Sequence, residues 1–398
     1  MRARIGFRHT LWACYIGYVT QAIVNNFMPL LFITFHRRFS LPLSQVALLS
    51  SINFGFQLVV DFIAAKVVDK IGYRNCIVAA HVSSAAGLAG IALFPPMFAN
   101  PFAGLLLAVL LCSIGGGLCE VLVSPIAEAC PTEKKDAQMS LLHSFYCIGV
   151  IVVIIVSTMY FSIFGTESYG ALALFWALVP MCNIFLCAMV PINSMVDDGE
   201  GMGIRELCRT RIFWLLALLM VCSGASELAM AQWASAFTES ALMVSKAVGD
   251  MMGPCVFALL MLVSRVAYAR YSDRINLSKF MIFSSSMCVA CYLLATLSAS
   301  SVLGLLGCGL CGFSVGIMWP GTFSIATVAC RKGGTVMFAL LALAGDLGGS
   351  VGPALVSGVS QLAEGNLKLG LLAGIVFPVL LIGGLVMLLR SHKEVGRI

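Results

Sequence analysis

Twelve separate stretches of this chain are each long and apolar enough to cross a lipid bilayer, and no other feature restricts its fold as much. They fall at 9–35, 42–66, 75–95, 102–128, 138–163, 170–191, 211–237, 248–270, 279–298, 301–329, 334–360 and 368–390. A helix needs roughly 20 mostly apolar residues to cross the hydrocarbon core. Twelve such helices take about 240 residues, which leaves short loops and no room for a large soluble domain in a 398-residue chain. Charged residues make up only 11%, against about 25% in soluble domains. The expected class is an all-α membrane protein, lodged in a lipid bilayer and not a nucleic-acid binder. Turn chemistry marks the breaks: Pro42, Pro95-Pro96, Pro131, Gly165, Gly249, Gly333-Gly334 and Gly365-Asn366. Arg2, Arg4 and Arg8 ahead of the first stretch mimic a secretory leader. No small-residue cleavage site follows, and Gln21, Asn25 and Asn26 interrupt the apolar run, so it reads as a retained span.

Basic residues set the orientation, because cytoplasmic segments carry the excess of Lys and Arg. With the N-terminus inside, all but four of the 24 Lys and Arg fall on inner segments; the four are Arg37, Arg38, Lys246 and Lys368. Both termini are therefore expected in the cytoplasm, with an even number of spans. The longest polar stretch, about 192–211, divides the chain near its middle. The expected organisation is a six-helix half at 1–192, a cytoplasmic linker at 193–210 and a second six-helix half at 211–398. The halves echo one another. Gly117-x7-Pro125 in the fourth span matches Gly312-x7-Pro320 in the tenth, and each is followed by a short basic loop. Duplication of this kind is the usual plan of secondary transporters.

After the second span runs Asp69-Lys70-Ile71-Gly72-Tyr73-Arg74, and after the eighth runs Asp273-Arg274-Ile275-Asn276. The first resembles the loop motif of the major facilitator superfamily, with Ala65 in place of its leading Gly and Tyr73 in place of one basic residue. The second keeps Asp273-Arg274 but has Asn276 for Gly. The resemblance implies that Asp69, Lys70, Gly72, Arg74, Asp273 and Arg274 form a gating motif, with Asp69 reaching the start of the eleventh helix near Gly334-Thr335. Within the superfamily the chain looks most like the sugar porters around fucose permease and the sodium-dependent glucose transporters. That likeness rests on Glu120, on Glu227-x5-Trp233 and on Gly316-x-x-Trp319-Pro320. Where the fucose-permease pattern carries an acid in the first helix, this chain offers Asn25 and Asn26.

A charge at the centre of a span costs roughly 2.5–3.5 kcal/mol on insertion scales, so such residues face a cavity or a partner. Three acids lie deep: Glu120, Glu227 and Asp346. Asp346 is about 12 residues into its span, hence roughly 18 Å deep. No Lys or Arg is expected at comparable depth. A carboxyl that alternates between neutral and charged is what a proton-coupled carrier needs, so Glu120 and Asp346, with Asp61 and His143, are coupling candidates. Each also has a plainer reading as a hydrogen bond between packed helices. That reading is strongest for Asp346, which sits among glycines, and for His143, since a lone buried His is more often a packed one. Asp61 also suits an inner gate. Glu227 shares a helical face with Ser223 and Met230, with Trp233 one turn beyond Met230, and is a solute-contact candidate.

The second span carries Asn53, Gln57 and Asp61 at i, i+4, i+8, a polar stripe that lipid would not tolerate. The first adds Gln21 and Asn25 at i, i+4, with Asn26 beside them. Amides donate and accept at once, which suits a hydroxyl-rich solute. Trp233 and Trp319 offer faces for the apolar side of a sugar, or simply pack. Trp12, Trp176 and Trp214 read as interface anchors or core, and Lys246–Asp250 as a surface pair. The sixteen Cys include two C-x-x-C pairs, Cys288/Cys291 and Cys308/Cys311, which read as packing residues without further ligands for a metal.

These features together favour a carrier that takes up a sugar or similar small neutral polar solute by alternating access, coupled to H+ or alternatively Na+. It would act as a plasma-membrane monomer with no cofactor and no catalytic group. Multidrug or metabolite efflux is the alternative within transport, since cavity acids also suit cationic drugs. A non-transporting receptor or sensor is the alternative of another class, and it would be expected to carry a soluble output domain.

Overall fold

The computed structural model describes residues 5–193, 201–234, 238 and 246–395. The acidic part of the linker, 194–200, lies outside these residues, and the Lys246 and Asp250 side chains lie outside the described side chains. The described residues hold twelve membrane-length apolar helices, as the sequence predicts. They are α1 Phe7–Phe39, α2 Leu48–Ile71, α3 Tyr73–Leu93, α4 Pro101–Glu128, α5 Lys135–Phe164 and α6 Thr166–Met189. Then come α7 Arg211–Ala231, α8 Gly253–Arg274, α9 Leu277–Leu297, α10 Ser301–Ala329, α11 Gly334–Leu362 and α12 Leu367–Arg390.

Local chemistry explains the ends. Gly72 separates α2 from α3 at φ 91, a left-handed conformation that residues with a Cβ rarely adopt. This is the reason the loop motif needs glycine there. Asn276 in the second copy does a different job. It keeps φ at −70, and its side chain accepts from the Lys279 N–H at 3.0 Å to cap α9. Asn100 caps α4 through the Phe102 N–H at 3.0 Å, with Pro101 as the first helical residue.

Four features depart from expectation. The first span is interrupted by a 3-10 turn at Met28–Leu31, where Pro29 cannot continue the helical ladder. Gly249, expected as a break, lies inside the helix Lys246–Tyr271. In the seventh span the helix Arg211–Ala231 is interrupted by a turn at 232–233, where Trp233 stands, and helical backbone resumes at Ala234. The tenth helix also breaks, between Val315 and Met318.

The chain separates into two compact units. One comprises Met1–Thr132, Phe145–Gly201 and Gly334–Ala339; the other comprises Glu133–Ser144, Met202–Gly333 and Leu340–Ile398. The first unit thus holds α1 to α4, α6 and most of α5. Inside it the Trp176 indole donates to the Ser157 hydroxyl at 3.2 Å, joining α6 to α5. His81 bridges α3 to Asn183 of α6, whose amide also donates to the Ala13 carbonyl of α1 at 2.9 Å. Trp12 and Trp214 are exposed, as anchors would be.

In the second unit α7 and α11 approach almost backbone to backbone. A Cβ at Gly224 would strike the Gly345 carbonyl, and one at Gly348 would strike that of Val221. Overpacking costs about 1–3 kcal/mol, so Gly224→Val is expected to lower the melting temperature of the purified protein in detergent. Gly383→Val, whose Cβ meets open space, is the control and should leave it unchanged. The two C-x-x-C pairs pack between α9 and α10, with Cys288 and Cys311 sulfurs 3.9 Å apart. All sixteen Cys are free thiols, and no metal-holding group of three ligands exists among the described residues.

Candidate functional site

Each unit buries a polar cluster that includes candidate site residues. In the first, α1, α2 and α4 are stitched by amides. Asn25 Oδ1 accepts from Asn53 Nδ2 at 3.2 Å and from Gln57 Nε2 at 2.8 Å. Asn53 Oδ1 in turn accepts from the Ser113 hydroxyl at 2.9 Å. All four are buried. The stripe on α2 therefore faces inward, but Asn25, Asn53 and Gln57 are engaged with one another. Glycines on α4 let α2 come close: a Cβ at Gly116 would sit 3.2 Å from Gln57 Nε2, and one at Gly117 would sit 3.1 Å from Asp61 Oδ1. Asp61 is fully buried there.

One turn along α4, Glu120 Oε2 accepts from Gln21 Nε2 at 2.5 Å. Gln21 is buried, and its Oε1 has no hydrogen-bond partner among the described residues. The Gln21–Glu120 bond shares no residue with the bonds among Asn25, Asn53, Gln57 and Ser113. Asn26 stands apart. Its Nδ2 donates to the Ala22 carbonyl of its own helix at 2.9 Å.

The second cluster corrects one expectation outright: a basic residue does stand at depth. Arg265 of α8 is 3% exposed, and its Nη2 lies 3.6 Å from Glu227 Oε2 of α7, which is 14% exposed. Its other nitrogens are also committed. Nε donates to the Gly316 carbonyl at 2.8 Å, and Nη1 donates to the His143 carbonyl at 2.8 Å. The Gly316 oxygen is open because the residue four further on is Pro320, which has no N–H to offer it. The Arg265 carbonyl accepts from the Ser140 hydroxyl at 2.8 Å. His143 is buried, with its ring 5.9 Å from that of Phe323.

Trp319 lies over Gly345, where a Cβ would collide with the indole. Trp233 is half-buried, and its Nε1–H has no hydrogen-bond partner among the described residues. Asp346, half-buried, follows Gly345 on the face of α11 that meets α7.

The loop motif is divided among local tasks. Arg74 Nη1 donates to the carbonyls of Cys187 and Ala188 at 3.2 and 2.6 Å, closing the C-terminal end of α6. Asp69, Lys70 and Arg274 are exposed. Within the first unit it is Tyr73, the residue that departs from the motif, whose hydroxyl bonds Thr335 at the start of α11. In the second unit Asp273 pairs with Lys134.

The family description of the Major Facilitator Superfamily matches residues 12–353. The chain belongs to that superfamily. It is thus a multi-pass membrane transporter that works by alternating access, not an enzyme. No curated protein matches the chain. Among solved structures it is similar to the E. coli fucose:proton symporter FucP, with TM-score 0.78 and 13% identity over 96% of this chain and 98% of that one. It is also similar to the proton:xylose symporter XylE, with TM-score 0.80 and 12% identity over 94% of each. The human organic anion transporter MFSD10 gives TM-score 0.73 and 18% identity over 95% and 99%. At these identities the likeness is one of fold.

Sequence reasoning passed over Arg265, although a signal was present. Asp273 follows Asp69 by 204 residues, and the same offset carries Asp61 onto Arg265. The two repeats thus place opposite charges at matching depths, and both are buried.

Proposed function

We propose that this superfamily member takes up a small neutral polar solute, a sugar or polyol, in symport with H+, Na+ being the other candidate ion. The observation that carries the reading is the Gln21–Glu120 pair beside an amide-stitched layer. It sets a titratable group where a hydroxyl-rich solute could bond. The names of FucP and XylE, proton symporters of fucose and xylose, lend support. Glu227, with Trp233 and Trp319, is the solute contact of the second unit in this reading, and Glu120 carries the proton. Asp61, Asp346 and His143 are secondary coupling candidates. The motif residues Asp69, Lys70, Gly72, Arg74, Asp273 and Arg274 act in gating. The halves 1–192 and 211–398, joined by 193–210, are the moving parts of alternating access, and the protein works as a monomer.

The test is gradient-driven uptake in proteoliposomes, with L-fucose, D-xylose, D-glucose and mannitol offered under a proton gradient or a sodium gradient. Concentration of at least one of them under one gradient is expected. A second reading, export of an organic anion or other metabolite, draws on the buried charge of Arg265 and on the name of MFSD10. Failure of every polyol together with gradient-driven extrusion of an anionic dye would favour it. The Arg265 charge is matched by Glu227, however, so it does not by itself call for an anionic solute.

Orientation belongs to the same proposal: plasma membrane, both termini and the linker cytoplasmic. A cysteine placed at position 200 in a cysteine-depleted protein is expected to resist impermeant maleimide in intact cells and to react after lysis. Labelling from outside would reverse the topology.

A further inference from the structure

The commitments of Arg265 reach further than an ion pair. One guanidinium spans three acceptors on three other helices: the Glu227 carboxylate on α7, the Pro320-freed carbonyl of Gly316 on α10, and the carbonyl of His143 on α5. The first turns of α5, within Glu133–Ser144, belong to the second unit, whereas α5 from Phe145 onward belongs to the first. Within the second unit that short segment is tied to α8 by the Arg265–His143 bond and the Ser140–Arg265 bond, and to the C-terminal end of α8 by the Lys134–Asp273 pair. Of the two bonds at its buried end, the His143 bond depends on the guanidinium, whereas the Ser140 bond is to the backbone carbonyl of Arg265. The exposed Lys134–Asp273 pair holds the other end weakly.

We propose that Arg265 is a positioning residue that links the state of Glu227 to the grip of α8 on the first turns of α5. This rests on the reading of Glu227 as the solute contact. A guanidinium is a rigid fork, so its nitrogens cannot be re-aimed independently. When Glu227 is protonated, or is drawn away toward a solute hydroxyl, the attraction that holds Nη2 weakens. A buried cation without its carboxylate is left uncompensated at high cost, which favours swinging the guanidinium toward water. Turning the fork lifts Nη1 from the His143 carbonyl and Nε from that of Gly316. The grip on α5 then loosens at the point where α5 passes from one compact unit to the other. Solute binding on α7 is thereby transmitted to a helix that Glu227 is not shown to touch.

Backbone hydrogen exchange, read by mass spectrometry on the full-length protein in nanodiscs, tests this without a known solute. Glu227→Gln mimics loss of the charge. It is expected to speed exchange across 133–147 by about threefold or more while leaving 150–164 unchanged. In an Arg265→Gln background the same substitution is expected to have no further effect on 133–147. Arg265→Lys guards against a variant that fails to fold, because it keeps a cation beside Glu227 but lacks the fork. The Glu227→Gln effect should be absent there too, whereas a simple need for buried positive charge would preserve it. The link is overturned if Glu227→Gln leaves 133–147 unchanged, or if its effect survives unaltered in either Arg265 variant. Either result would leave the transport reading standing, because that reading is judged by uptake and not by exchange.

Discussion

Glu120→Gln protein is expected to exchange solute across the membrane at close to the wild-type rate and to lose the ability to concentrate it. The reasoning starts from geometry. Glu120 meets Gln21 at 2.5 Å, outside the set of bonds that joins Asn25, Asn53, Gln57 and Ser113. Replacing the carboxyl with an amide removes the proposed proton carrier and leaves that set in place, so the solute should still be bound and released. An inward gradient of about one pH unit drives about tenfold accumulation for one-to-one coupling, and this is the quantity that should vanish. Counterflow of whichever polyol the uptake panel selects should persist. Uphill uptake surviving in Glu120→Gln would reject Glu120 as the proton carrier. Sodium-driven uptake would replace the ion and leave the fold untouched. Glu227→Gln should weaken solute binding itself and reduce counterflow, which separates the two acids by their readouts.

The largest stability effect should come from Arg265. Removing one member of a buried ion pair leaves the other charge uncompensated, at a cost of about 3–5 kcal/mol. Arg265→Met is therefore expected to melt far below the wild type in detergent. Glu227→Leu combined with Arg265→Met removes both charges, and buried pairs replaced by apolar groups are often neutral or better. Full recovery is not expected here, because the carbonyls of Gly316 and His143 lose a donor as well. A buried acceptor without its donor costs about 1–3 kcal/mol. The double variant should thus lie between the single variant and the wild type. A double variant no more stable than Arg265→Met alone would show that the pair contributes little and that the carbonyl bonds dominate.

The parts of this molecule that could be read from sequence share a property: a short-range rule decides them. Twelve apolar lengths fix twelve helices. The glycine of the loop motif is required by a local dihedral at Gly72, and the spacing of Asn53, Gln57 and Asp61 forces one face of one helix inward. What escaped depends on pairs far apart in the chain. Arg265 sits nine residues before Arg274, the last residue of α8, and looked like one more basic residue near the cytoplasmic end. Only the fold brings Glu227, Gly316 and His143 to it. Trp233 was misplaced for the opposite reason. The apolar pattern runs unbroken past Ala231, but a turn at 232–233 interrupts the helix there. Tyr73 read as a defect in the motif, because nothing local announces Thr335 as its partner.

Pro320 has a consequence for how this protein can change over generations. An alanine there would bring an amide hydrogen back into α10, one turn from the Gly316 oxygen, in direct competition with the Arg265 guanidinium. The loss would register at Glu227 and His143, neither of which a mutation at position 320 would alter. Positions 265, 316 and 320 are thus bound into a single heritable unit by one missing hydrogen atom. A lineage that gives up the proline has reason to give up the arginine next, and then to find another home for the charge of Glu227.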